Sequence, residues 1–260
     1  MFNDIVIGPI TIHMYGVMIA AGFLAALLMT LRRGKKRGYD EDIIWGIFFC
    51  AIIGGMLGTR ILYYIVEIPE IMKDPSILWD FKNGYVVYGG IIGGILVGWL
   101  YCRIKKLKFL EYFDLMMPSI ALAQGFGRIG CFLAGCCYGK ETSGPLAVTF
   151  TNSDFAPNNV ALIPTQIYSG FLDFAHFLLL LYVAKHKKAD GQVAACYLIF
   201  YSIGRFVIEF FRGDIERGSV GVLSTSQFIS IFTTVAGIIL LLTVVKKQKQ
   251  EANISLNSKG

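Results

Sequence analysis

The chain has 260 residues, 55% hydrophobic and only 16% charged, with a formal net charge of +6 and a mean hydropathy of +0.60. A soluble domain carries roughly 25% charged residues, so an ordinary soluble protein is excluded. The positive charge does not point to nucleic acid, because Lys and Arg gather in the connections between apolar segments, as they do in loops facing the cytoplasm.

Seven apolar segments follow in chain order, at 10–31, 43–66, 85–101, 112–138, 164–184, 193–211 and 224–245. A helix needs about 20 apolar residues to cross a bilayer. The expectation is an all-α membrane protein, a bundle of about seven transmembrane helices forming one domain over 1–247. Longer loops at 67–84 and 139–163 lie on the outer face, and 248–260 is read as a disordered polar tail. No basic residue precedes Arg32, which argues for a retained first helix rather than a cleaved signal. The connections after spans one, three, five and seven hold sixteen of the 24 Lys and Arg, and the other side holds five. The bias predicts an outer N-terminus and a cytoplasmic C-terminus.

The other three basic residues, Arg60, Arg128 and Arg205, fall inside spans. A charge at membrane depth costs at least about 2.5–3.5 kcal/mol, which makes each a candidate for function. Arg128 sits among Gly125, Gly127, Gly130, Gly135 and Gly139. Small residues there let helices pack, or let backbone approach a head group whose phosphate Arg128 binds bidentately. Arg205, Glu209 and Arg212 are spaced by four and three, which places them on one helix face. Glu209 then either neutralises an arginine or orients it towards an anion. Arg60 is expected to pair with Asp114 or Glu67, or to snorkel.

The third span opens on Tyr85-Val86-Val87-Tyr88-Gly89-Gly90, where Tyr88 reads as an interfacial aromatic or as a phenol acting on substrate. His13 and Tyr15 begin the first span. Gln166 and Tyr168 begin the fifth after Pro164, a residue suited to a helix start. Cys131, Cys136 and Cys137 read as small apolar filler, because zinc motifs need four ligands and there are only three histidines. Serine-hydrolase, metalloprotease and P-loop motifs are absent from the sequence.

In chain order, His13-Met14-Tyr15-Gly16, Gly55 to Arg60, Gly89-Gly90-Ile91-Ile92-Gly93, Gly127-Arg128-Ile129-Gly130, Pro164-Thr165-Gln166-Ile167-Tyr168 and Arg205 to Arg212 resemble the prolipoprotein diacylglyceryl transferase family over nearly the whole length. The resemblance implies transfer of a diacylglyceryl group from phosphatidylglycerol to the lipobox cysteine of a prolipoprotein, releasing glycerol phosphate in a bacterial plasma membrane. It implies no metal and no soluble cofactor. It points to catalytic roles for Arg128, Arg205 and Glu209, and Tyr88 is expected to replace the family's histidine as a fourth catalytic residue. Substrate-binding roles fall to His13, Tyr15, Arg60, Gly89, Gly90, Gly130, Gly135, Gln166, Tyr168 and Arg212. Four positions depart from the family: Tyr88 stands for a histidine, Cys131 for an asparagine, and Ala134 and Cys136 for the Asn and Glu of Asn-Gly-Glu. Two other readings are a different acceptor for the same lipid donor, and a lipid-binding or transport protein without catalysis.

Overall fold

The computed structural model describes residues 4–8, 10–80, 84–214 and 218–257. Lys82 and Arg217, both counted as outer-face charges, and residues 258–260 of the tail lie outside them. Among the described residues eight α-helices run in order: α1 (Met14–Lys35), α2 (Glu41–Val66), α3 (Ile68–Ile71), α4 (Val87–Ile104), α5 (Phe109–Ala134), α6 (Thr165–His186), α7 (Gln192–Glu209) and α8 (Thr225–Asn257), with a short 3-10 helix at Pro75–Trp79. Among the described residues three antiparallel strand pairs accompany them: β1 (Asp4–Ile7) with β2 (Ile10–His13) before α1, β3 (Val148–Thr149) with β4 (Ala161–Leu162) between α5 and α6, and β5 (Ser219–Val220) with β6 (Leu223–Ser224) between α7 and α8.

Among the described residues six helices are long and apolar enough to span a membrane: α1, α2, α4, α6, α7 and α8. α5 has 26 residues, about 39 Å at 1.5 Å per residue, but carries Glu111, Asp114, Gln124 and Arg128. Many apolar side chains point away from the protein, including Leu178, Ile239 and Leu242. In water such faces would be a liability; against acyl chains they are the solvated surface. The protein is therefore a multi-pass, helical membrane protein.

Two boundaries differ from the sequence reading. Residues 10–13 form strand β2, so the first helix begins at Met14. α8 continues through Asn257, where disorder was expected from 248. Lys, Gln and Glu are good helix formers, and extending an existing helix avoids the cost of nucleating one.

The chain divides into two compact units. One comprises residues 31–112, the other residues 1–30 with 113–260. In the first, α2 and α4 cross on glycine. A Cβ at Gly89 or Gly58 would run into the other's carbonyl, and one at Gly54 would sit 2.6 Å from the Gly93 oxygen. In the second unit, Met117, Ala121, Leu180, Ala184, Val193 and Ala194 form a core among α5, α6 and α7. Buried Asp114 holds its lower end: it accepts from the amides of Gly191 and Ala194 at 2.9 Å and from Lys187 Nζ at 2.9 Å. A carboxylate there satisfies first-turn amides of α7 and complements its dipole. Segment 139–163 packs on its own small core of Phe150, Ala156 and Leu162 with Phe132 and Tyr138.

Candidate active site

In the second unit, the C-terminal ends of α5 and α7 and the N-terminal ends of α6 and α8 gather the polar side chains. Arg128 and Arg205 line one partly open recess, together with Ser169, Asp173, His176 and Tyr201. A Cβ at Gly170 would lie 3.3 Å from the Arg128 Cβ, so glycine there gives the arginine stem room beside α6. Arg128 Nε stands 3.6 Å from Asp173 Oδ2, an ion pair longer than a hydrogen bond. Arg205 Nη2 lies 2.8 Å from Glu209 Oε2 and donates to Ser226 Oγ at 2.8 Å. Its Nη1 is buried with no hydrogen-bond partner among the described residues. Such a cationic donor is rare in a folded protein, because an unpaired buried polar group costs about 1–3 kcal/mol, and more when charged.

Asp173 and His176 were not singled out from the sequence. An aspartate in an apolar span is the same signal that marked the arginines, and His176 follows it by three residues, on the same helix face. His176 stacks on Tyr197 at 5.2 Å, which stacks on Tyr201 at 5.6 Å. Neither His176 ring nitrogen has a hydrogen-bond partner among the described residues.

Just beyond α5 the backbone turns sharply. Gly135 and Cys137 adopt left-handed φ of +75° and +62°, a conformation that glycine enters freely and other residues resist. The turn is held from α6. Thr165 Oγ1 donates to the Cys137 carbonyl at 2.8 Å, and Gln166 Nε2 to the Cys136 carbonyl at 2.8 Å. Gln166 is thus buried with its Nε2 spent on backbone, while its Oε1 is buried with no hydrogen-bond partner among the described residues. The sulfurs of Cys131, Cys136 and Cys137 all lie within 4.8 Å of one another.

Arg212 departs from the helical reading, because α7 ends at Glu209. Arg212 Nε and Nη2 donate to the two carboxylate oxygens of Asp214. Burial opposes its charge, but Asp214 and Cys137 together more than offset this, and its pKa rises. Backbone bonds from Gly213 to Tyr138 and from Lys140 to Phe211, at 3.1 and 2.9 Å, staple this segment to 138–140. Gly130 packs against Tyr15 and Met18 of α1, where a Cβ would approach both at 3.2 Å; Tyr15 itself is 44% exposed. His13 ends β2, paired with Asp4. Tyr168 is half-buried in the second turn of α6.

The remaining sequence candidates belong to the 31–112 unit. Arg60 does not take Glu67 or Asp114 as its partner. It donates to Tyr64 Oη at 2.8 Å and to the carbonyls of Asp80 and Gly84 at 2.6 and 3.2 Å. It also lies over the Tyr64 ring at 4.8 Å, pinning the loop after α3. Gly89 and Gly90 face α2, Gly89 against Gly58 and Gly90 against Thr59 and Gly55, so helix packing accounts for both. Tyr88 lies in the first turn of α4 and is 39% exposed.

Fold and site together define an integral membrane protein with two half-buried arginines converging on one polar recess. A family profile for prolipoprotein diacylglyceryl transferases matches residues 4–243, and the chain belongs to that family. It is 54% identical over 227 residues to the phosphatidylglycerol–prolipoprotein diacylglyceryl transferase of Clostridium tetani, covering 87% of this chain and 91% of the relative. To the second such enzyme of Clostridium perfringens it is 51% identical, covering 91% and 93%. To that of Clostridioides difficile it is 35% identical, covering 95% of each.

Proposed function

We propose that this protein transfers the diacylglyceryl group of phosphatidylglycerol to the lipobox cysteine thiol of a prolipoprotein, in the plasma membrane of a bacterium. The observation that carries the reading is the buried, unpartnered Nη1 of Arg205 in the recess it shares with Arg128. A phosphodiester oxygen supplies the missing acceptor, and a second guanidinium beside it suits a bidentate anion.

The chemistry needs little else. The acceptor sulfur attacks the glyceryl carbon that carries the phosphate ester, and a C–S bond forms. The C–O bond breaks with its electron pair going to oxygen, so glycerol phosphate leaves with one more negative charge than the diester had. Arg128 and Arg205 meet that growing charge from fixed positions, which is the form of stabilisation that lowers a barrier most. Asp173 and Glu209 hold the two guanidinium groups in place. Tyr88, at the position of the family histidine, relays the thiol proton to water.

Counting α5 as a span gives seven passes and an outer N-terminus. The recess then opens near the outer leaflet, at the end of the helices opposite Lys185, Lys187 and Lys188, and the positive-inside rule supports that placement. The test is purified protein with phosphatidylglycerol and a lipobox peptide. The expected result is glycerol phosphate release matched by a diacylglyceryl mass gain, absent when the peptide cysteine is serine. Release without peptide modification would mean a different acceptor, and no lipid turnover at all would favour a lipid carrier.

A further inference from the structure

One face of α6 offers more than a phosphate needs. Ser169, Asp173 and His176 follow at spacings of four and three, which puts them on one side of the helix. All three are at least nine-tenths buried, and all three line the recess that holds Arg128 and Arg205. From Ser169 to His176 the row runs about 10 Å along the helix, at 1.5 Å per residue, and a single phosphate fills only part of it. A buried polar group without a partner is costly, so apolar side chains are the default in a membrane span. Here Asp173 Oδ2 and both ring nitrogens of His176 have no hydrogen-bond partner among the described residues. The ring itself is fixed, stacked on Tyr197 at 5.2 Å and edge-on to Phe200 at 6.5 Å. Packing therefore accounts for the ring of His176 and leaves its nitrogens unexplained.

The idle atoms specify the missing group. A carboxylate oxygen only accepts, and a neutral imidazole donates at one nitrogen and accepts at the other. A hydroxyl both donates and accepts, so a pair of hydroxyls can serve Asp173 and His176 together. An ammonium donates only, cannot take the imidazole N–H, and would lie beside two guanidinium groups. A second phosphate would face the Asp173 carboxylate. We propose that His176 and Asp173 hold the free hydroxyls of the glycerol head group, beyond the phosphate that Arg128 and Arg205 take, and so make the site selective for a polyol head group on the leaving side. This deepens the transferase reading and rests on it. His176 makes and breaks no covalent bond: it binds the anionic phosphoglycerol at its hydroxyl end and releases it with the leaving group. Asp173 then serves both a hydroxyl and its ion pair with Arg128 at 3.6 Å, which ties head-group recognition to the phosphate contact.

The test varies the head group at constant charge. Phosphatidylpropanol keeps the phosphodiester and its single negative charge but lacks both hydroxyls. kcat/KM is measured for it and for phosphatidylglycerol, each with a lipobox peptide. The parent should prefer phosphatidylglycerol at least about tenfold, the worth of one or two hydrogen bonds. His176→Phe, which keeps a stacked ring, should lose about tenfold on phosphatidylglycerol and stay within about twofold of the parent on phosphatidylpropanol. His176→Gln, which offers both a donor and an acceptor, should keep part of the preference. Thermal unfolding checks that both variants are folded, and His176→Gln carries the comparison if His176→Phe is not. Equal use of the two lipids by the parent overturns the proposal, as does an unchanged preference in both variants or an equal loss on both lipids. Efficient turnover of phosphatidylethanolamine overturns it too. If no lipid is turned over, the transferase reading fails, and the head-group claim is read from binding instead. Short-chain phosphatidylglycerol should then raise the unfolding midpoint of the parent more than short-chain phosphatidylpropanol, and equal shifts overturn the claim.

Discussion

Replacing Gly89 with alanine separates two roles proposed for this glycine, substrate contact and helix packing. The new Cβ would meet the Gly58 carbonyl and lie 2.6 Å from Leu62 Cβ. The Gly58 oxygen is backbone and cannot rotate away, so α4 must move outward by about an ångström. Dispersion across the crossing falls by a quarter to a half where such a gap opens, and overpacking of this kind costs about 1–3 kcal/mol. Alanine returns less than the full helix-propensity gain of about 1 kcal/mol, because Gly89 lies in the first turn. The net expectation is about 1–2 kcal/mol of lost stability, or roughly a tenfold larger unfolded fraction. Gly98→Ala is the control: nothing lies within 4 Å of its Cβ, so it should be neutral or slightly stabilising. The assay is thermal unfolding in detergent, with KM for phosphatidylglycerol measured on the folded fraction. If Gly89→Ala unfolds at the same temperature as Gly98→Ala while its KM rises, the packing argument is wrong and the substrate-contact role stands.

Three further expectations follow from the polar groups. Asp114→Ala strands the Gly191 and Ala194 amides and removes a partner of Lys187; it should lower stability by about 3 kcal/mol, read as an earlier unfolding midpoint, and a midpoint within a degree of the parent would contradict this. His176→Phe keeps the stack on Tyr197 and should fold normally. It should raise KM for phosphatidylglycerol about tenfold, the worth of one hydrogen bond to a charged group; an unchanged KM would confine His176 to packing. Tyr88→Phe should slow turnover, and full turnover would remove Tyr88 from the proton path.

The membrane class and the two arginines were legible because the bilayer penalises charge so heavily that an Arg inside an apolar run must be explained by its surroundings. Asp173 obeys the same rule, but no arginine stands three or four residues from it on α6, so nothing beside it on the helix draws attention to it. The roles of the glycines were not legible. Gly89, Gly90 and Gly130 look alike whether they admit a lipid or another helix, and only the facing atoms decide. Arg60 and Arg212 show a related limit. Tyr64 lies four residues after Arg60, but the loop carbonyls that complete its shell are not legible from spacing, and Arg212 is bound by Asp214 beyond the end of the helix. The cysteine cluster depends on a left-handed turn at Gly135 and Cys137, which converts a spacing unlike common zinc motifs into three converging sulfurs.

The central claim is that Arg128 and Arg205 together hold one phosphate through the transition state. The direct measurement is kcat/KM with phosphatidylglycerol and a lipobox peptide for Arg128→Gln, Arg205→Gln and the double variant, each shown to be folded. Losing one charged partner of a buried anion costs about 2–5 kcal/mol, so each single variant should lose at least about thirtyfold. The double variant should lose less than the product of the two, because both arginines act on the same group. Full activity in either single variant, or strictly multiplicative losses, would contradict a shared phosphate.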